Sequence, residues 1–253
     1  MLRNVLLLIA IAMSGLATAS SLPQPLKFIE SQGGEVVNAF DAPSGVTGYI
    51  IDFRGNALTV YLSEDKQYLF TGKMLDASGR DIGETALNAY ISGPQSEKNW
   101  QALGSSNWIP DGDNDAERVI YTFTDPNCPY CKKFWQQARP WIEAGKVQIR
   151  HIMVGILKAD SFDKSAAILS ADDPAKALYQ HEVGNEGTVL TITPPSDNAR
   201  EKLKINHTLM QKLGVSATPA IFYKDSKNVV DLHMGLPGLS QLEEIMGSKG
   251  DYQ

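Results

Sequence analysis

Thr124-Asp125-Pro126-Asn127-Cys128-Pro129-Tyr130-Cys131-Lys132-Lys133-Phe134-Trp135 holds both cysteines of the 253-residue chain, three positions apart. Before it, Arg118 to Thr124 reads as a strand in which Val119, Tyr121 and Phe123 alternate. After it, a helical pattern runs to about Glu143. A C-x-x-C that follows a strand and opens a helix suits thiol chemistry. The first sulfur sits where unpaired backbone N–H groups and the helix dipole favour negative charge, which lowers its pKa. The second lies one turn further on the same face, able to close a disulfide or to release a trapped one. Asp125-Pro126-Asn127 reads as a turn with a capping side chain, Pro129 suits a first helical turn, and Pro140 is expected to kink the helix.

Other uses of the pair fit less well. Tetrahedral zinc needs four ligands, and His151, His181, His207 and His233 are single and scattered. Haem attachment needs a histidine after Cys131, where Lys132 stands. A purely structural disulfide would close a tiny loop already held by a helix, with little gain in chain entropy. The expected cofactor is therefore none beyond a redox-active Cys128–Cys131 disulfide, with no metal.

The start of the chain bears on compartment. Arg3 precedes the apolar run Val5 to Met13, and Ala17-Thr18-Ala19 is a small-residue cleavage site. The run is too short to span a bilayer, so residues 1–19 read as a cleaved signal peptide and the mature chain as soluble. Secretion places the two thiols in an oxidising compartment, where a disulfide persists. Loss of residues 1–19 moves the net charge from −6 to −7, because Arg3 goes with them. An acidic chain argues against nucleic acid or an anionic membrane as partner.

The rest divides into three further parts. Residues 20–82 hold a short helix near Leu26 to Gln32. Four strand-like runs follow, Glu35 to Phe40, Thr47 to Phe53, Leu58 to Leu62 and Tyr68 to Leu75. So small a β-rich unit has a marginal core, and pairing with a second copy is expected to complete it; the alternative is a self-sufficient small domain. Residues 83–110 read as a linker, with a helix opening at Gly93-Pro94 and a turn-rich boundary at Trp108 to Gly112. Residues 111–253 continue as strand, helix and strand. A helical insertion at Phe162 to Ser170, Pro174 to Val183 and Ala199 to Leu213 comes next, then strands at Ala220 to Tyr223 and Val229 to His233, and a helix at Leu239 to Met246. Asp173 is the expected N-cap of the second inserted helix and Gly214 the C-terminal cap of the third. Thr218-Pro219 leads into a strand, where a cis proline is often kept for a functional turn.

The C-x-x-C segment, together with Gly214-Val215-Ser216-Ala217-Thr218-Pro219-Ala220, resembles the thioredoxin-fold disulfide isomerases of the bacterial periplasm, the DsbC/DsbG family. The likeness runs along nearly the whole mature chain, including Gln136 to Trp141 and Gly235-Leu236-Pro237. One branch carries Gly where Pro129 stands and an extra cysteine pair; this chain is similar to the other branch. The resemblance implies an α+β protein. Its thioredoxin-like catalytic domain with a helical insertion is preceded by a small β-rich, cystatin-like dimerisation domain and a helical linker. It implies Cys128 as attacking nucleophile, Cys131 as resolving thiol, and Pro129, Tyr130, Thr218 and cis-Pro219 as residues that bind substrate or tune the sulfur. It further implies a periplasmic homodimer that isomerises or reduces disulfides, including sulfenylated cysteines, with chaperone-like binding of unfolded substrates. An inner-membrane thiol reductant of the DsbD kind would keep it reduced. Net oxidation and thiol-independent holding of unfolded protein remain alternatives.

Two features stay bland. Trp135 and Trp141 at helical spacing read as packing, and Lys132-Lys133 as a solvated face.

Overall fold

The computed structural model describes residues 22–184 and 196–248. The expected signal peptide lies outside the described residues. Two sheets organise the chain. The first follows helix α1 (Gln24–Ser31) and is an antiparallel meander of β1 (Gly34–Asp41), β2 (Thr47–Phe53), β3 (Asn56–Leu62) and β4 (Leu69–Thr71), in that order. Leu26 on α1 closes a core of Ile51, Val60 and Leu62. The β2–β3 turn is Arg54-Gly55, both at positive φ. That matches a two-residue hairpin loop whose twist suits the strands. A Cβ on Gly55 would also lie 2.2 Å from the Lys212 carbonyl oxygen, so glycine is required twice over. The strand expected over Tyr68 to Leu75 is shorter. Gly72, at φ +117°, leaves the ladder, and Leu75 forms an isolated bridge with Asp81.

The connector differs from its sequence reading. Its helix opens at Glu84, not at Gly93-Pro94. Helix α2 (Glu84–Tyr90) passes through a π-helical segment, Ile91–Gln95, into α3 (Ser96–Gly104), with Pro94 inside the π segment. A wider helical turn accommodates a residue that lacks an N–H. The connector is clamped on both sides. Tyr90 donates to Asp52 at 3.1 Å and Gln95 to the Gly55 carbonyl at 2.7 Å. Ser96 Oγ accepts from Val230 N at 2.7 Å, and Trp100 meets Tyr121 edge-on at 4.9 Å.

The second sheet has the order β5-β7-β6-β8-β9. These strands are β5 (Trp108–Asp111), β6 (Arg118–Thr124), β7 (Val147–Met153), β8 (Ala220–Lys224) and β9 (Val230–Met234). The expected turn at Trp108 to Gly112 is instead mostly β5, paired antiparallel with β7; Pro110 is tolerated because β5 is an edge strand. β6 and β7 are parallel, joined by α4 (Pro129–Glu143), as a parallel pair requires. β6 is central and buried on both faces from Ile120 to Thr124, so its alternation marks two buried faces rather than inside and outside. α4 and α8 (Leu239–Met246) cover one face through Phe134, Trp141, Leu242 and Ile245. α3 and α7 (Asp197–Lys212) cover the other through Leu103 and Met210. Between β7 and α7 stand α5 (Ser161–Ser170) and α6 (Pro174–Val183), packed with α7 around Ile109 and Met153. Asp173 caps α6 by accepting from Lys176 N, and Gly214 ends α7 at φ +67°. Among the described residues no helix is long and apolar enough to cross a membrane.

Candidate functional site

The central strand β6 ends at Thr124 and hands the chain to a tight turn closed by Cys128 N and the Asp125 carbonyl at 2.9 Å. The sequence reading gave the side chain before the motif a capping role on α4. Asp125 does something else. Its buried carboxylate accepts from Asn127 N at 2.9 Å, Ser161 Oγ at 2.9 Å, Ile156 N at 2.7 Å and Leu157 N at 3.0 Å. It therefore ties the loop before α4 to the loop before α5. The N-cap of α4 is Cys128 itself, in extended conformation, with Sγ accepting from Cys131 N at 3.3 Å. Pro129 occupies the first helical turn and Tyr130 stands 54% exposed beside the sulfur.

The loop before β8 completes the site. The Thr218-Pro219 peptide is cis, and the Thr218 carbonyl lies 3.2 Å from Cys128 Sγ. The Thr218 hydroxyl is buried without a hydrogen-bond partner. As a thiol, Cys128 donates to that carbonyl. As a thiolate it loses this bond, and the idle hydroxyl is the donor at hand. Gly235 N holds the Pro219 carbonyl at 2.8 Å, anchoring the loop to the end of β9.

The two sulfurs are electrostatically unequal. A hydrogen bond from the Cys131 thiol does most to hold Cys128 down at about 6. The Thr218 side chain and the N–H groups of Cys131 and Tyr130 add to it, against the opposing effect of burial. Cys131 is 3% exposed, and burial pushes its pKa well up, helped by the charge on Cys128. Both are free thiols. The two sulfurs thus differ in chemistry by position, although they are the same residue type.

The structure brings Cys128, Cys131, Pro129, Tyr130, Thr218 and Pro219 together at the start of α4. It also adds contacts that the sequence did not indicate. Lys132 is not a freely solvated charge: its Nζ donates to the Gly184 carbonyl at the end of α6. His181 Nε2 meets the Pro126 carbonyl at 2.7 Å, and Tyr179 packs edge-on against Trp135 with centroids 5.6 Å apart. Behind α4, Arg139 pairs with Asp111 and lies 4.0 Å over the Trp135 ring. Burial works to raise the Asp111 pKa, but the His151 ring 3.5 Å away and the hydrogen-bonded Arg139 guanidinium outweigh it and hold the group at about 2. His151 Nδ1 meets Thr124 Oγ at 2.9 Å, one strand end from the motif. No local signal in the sequence links Asp111 to Arg139 or α6 to Lys132, because each contact spans 28 residues or more. No group of three or more His, Cys, Asp or Glu side chains among the described residues is placed to hold a metal ion.

Fold and site together define a thioredoxin-fold thiol–disulfide oxidoreductase. Residues 113–247 match the family model of the thioredoxin-like domain. The thiol:disulfide interchange protein DsbG of Pseudomonas aeruginosa is 43% identical over 238 residues, 93% of each chain. DsbG of Escherichia coli is 40% identical over 252 residues, 98% of this chain and all of that one. Among solved structures, the catalytic domain of Proteus mirabilis ScsC superposes with a TM-score of 0.51 at 26% identity, over 59% of this chain and 93% of that domain. The chain belongs to the DsbG family of thiol:disulfide interchange proteins.

Proposed function

We propose that this periplasmic thiol:disulfide interchange protein works as a homodimeric isomerase and reductase in which Cys128 attacks and Cys131 resolves. The observation that carries the reading is the asymmetry of the pair. Cys128 caps α4 with a pKa near 6, so it is largely thiolate at neutral pH, while Cys131 is buried and held as a thiol. The thiolate attacks one sulfur of a substrate disulfide and expels the other as a thiolate, leaving a mixed disulfide. Cys131 gives up its proton, attacks Cys128 Sγ and frees the substrate sulfur. With a sulfenylated cysteine, the attack expels hydroxide, which leaves as water after taking a proton; the resolving step is the same. When a second thiol of the substrate resolves the mixed disulfide instead, the substrate is isomerised and Cys128 returns as a thiolate; each reductive turnover oxidises the Cys128–Cys131 pair, so a dithiol donor must reduce it, and an inner-membrane reductant of the DsbD kind suits that need.

Surface apolarity supports the substrate class. Tyr130, Ile156, Leu157, Val183 and Met234 are exposed on segments that adjoin the C-x-x-C and the Pro219 loop. Such a rim suits unfolded or non-native chains, and it also favours chaperone-like binding as a second, thiol-independent capacity. The first sheet supports the dimer: its edge strand β4 exposes Phe70, flanked by exposed Tyr68 and Leu75. An unpaired edge with apolar side chains is a template for a second chain.

The test is trapping. Cys131→Ser is expected to accumulate mixed disulfides between Cys128 and periplasmic proteins, and Cys128→Ser to yield none. Alkylation of the reduced protein should rise through a midpoint near pH 6. Equal trapping by the two variants, or a midpoint at the value of a free thiol, rejects the assignment of roles.

A further inference from the structure

Glu182 is a strongly buried carboxyl near the C-x-x-C that the exchange mechanism above leaves unused and that, unlike the four-times hydrogen-bonded Asp125, has no described side-chain partner. It sits at the C-terminal end of α6, is 2% exposed, and makes no side-chain hydrogen bond or ion pair with a described residue. α6 is fastened to the motif at three points around it. These are Tyr179 against Trp135, His181 against the Pro126 carbonyl, and the Gly184 carbonyl against Lys132. The charged groups that act on Glu182 come from every side of this contact. Lys132 and Arg139 on α4 favour its anion, while Asp111 on β5 and the Cys128 sulfur disfavour it. Burial is the largest influence and, with those two negative neighbours, pushes its pKa to about 7.

A carboxylate and a thiolate that feel each other in a buried site are linked reciprocally: charge on one opposes charge on the other. The charge on Cys128 changes with redox state, because a disulfide sulfur is neutral. We propose that Glu182 is the proton partner of the active-site pair: ionised when Cys128 and Cys131 are joined, and protonated when Cys128 is a thiolate. The balance is complete. A donor dithiol, the oxidised pair and the Glu182 carboxylate yield a donor disulfide, the Cys131 thiol, the Cys128 thiolate and the Glu182 carboxylic acid. The donor's two electrons break the Cys128–Cys131 bond. Of its two protons, one goes to Cys131 and one to Glu182. Reduction then changes the net charge of the site by nothing, which suits a buried location. The inserted helix α6 is thereby a working part of the site.

This inference rests on the reading of Cys128 and Cys131 as the exchanging pair, and one experiment separates the two. The oxidised full-length protein is reduced with dithiothreitol in weak buffer at pH 7, and released protons are counted with an indicator dye. Without a partner, one of the reductant's two protons is released per disulfide reduced. The wild type should release clearly less than one, and Glu182→Gln, which keeps shape and removes the titrating group, should release one. A reduced-minus-oxidised infrared spectrum of the wild type should gain a protonated-carboxyl band, an outcome that stands even where the variant does not fold. One proton released by the wild type, or the same count in Glu182→Gln, overturns the inference, as does absence of the band. No reduction at all would instead reject the reading of the cysteine pair.

Discussion

The two sheets solve the burial problem to different degrees. The first has one short helix over one face and a core cluster of Leu26, Ile51, Val60 and Leu62, with Phe28, Tyr68, Phe70 and Leu75 left exposed. The second has helices on both faces, Trp141 and Phe123 fully enclosed, and a further cluster under the inserted helices. Apolar burial yields roughly 25 cal/mol per Å², so the second sheet can hold a buried polar site while the first stays short of core. The difference teaches that the thiol site is built where packing is complete, and that apolar surface is left exposed where it is not.

The largest expected departure comes from removing the first sheet. A chain lacking residues 20–82 should sediment as a monomer, yet Cys128 should still be alkylated with a midpoint near pH 6. A persisting dimer would place the joint elsewhere, and a moved midpoint would show that the two regions are not separable. Next comes the enclosed core of the second sheet. Trp141→Ala should cost about 3–5 kcal/mol in denaturant unfolding, the range for emptying a large aromatic site. A cost below that of the same change at half-buried Tyr49 in the first sheet would reverse the ranking of the two cores. The smallest effect tests the inserted helices alone. Asp173→Ala removes the side chain that caps α6 and should cost about 1 kcal/mol. It should also loosen the Lys132 and His181 contacts at the far end of that helix, visible as faster amide exchange around Pro126.

Local chemistry made much of this legible. Asp173-Pro174 opens α6, Gly214 closes α7, and the alternation of β6 places the motif at a strand end. The misreadings share a cause. Gly93-Pro94 looks like a helix start, but neighbours on both sheets hold a continuous helix through it. Trp108 to Asp111 looks like a turn because of Pro110, but the free edge of β7 recruits it. Asp125 has the local look of a cap, but four donors from its own turn and the α5 loop claim its carboxylate. Lys132 looks solvated, but the end of a helix 52 residues further on lies against it.

Adjacent residues alone settle that this chain carries a strand–C-x-x-C–helix unit, since turn formation, capping and side-chain periodicity act over a few positions. How deeply the second sulfur is buried, which helix closes on the motif and which threonine faces its first sulfur are decided only when β8 and α6 come back to it. Those effects depend on burial and on distances between groups far apart in the chain, and neither exists before the chain is folded.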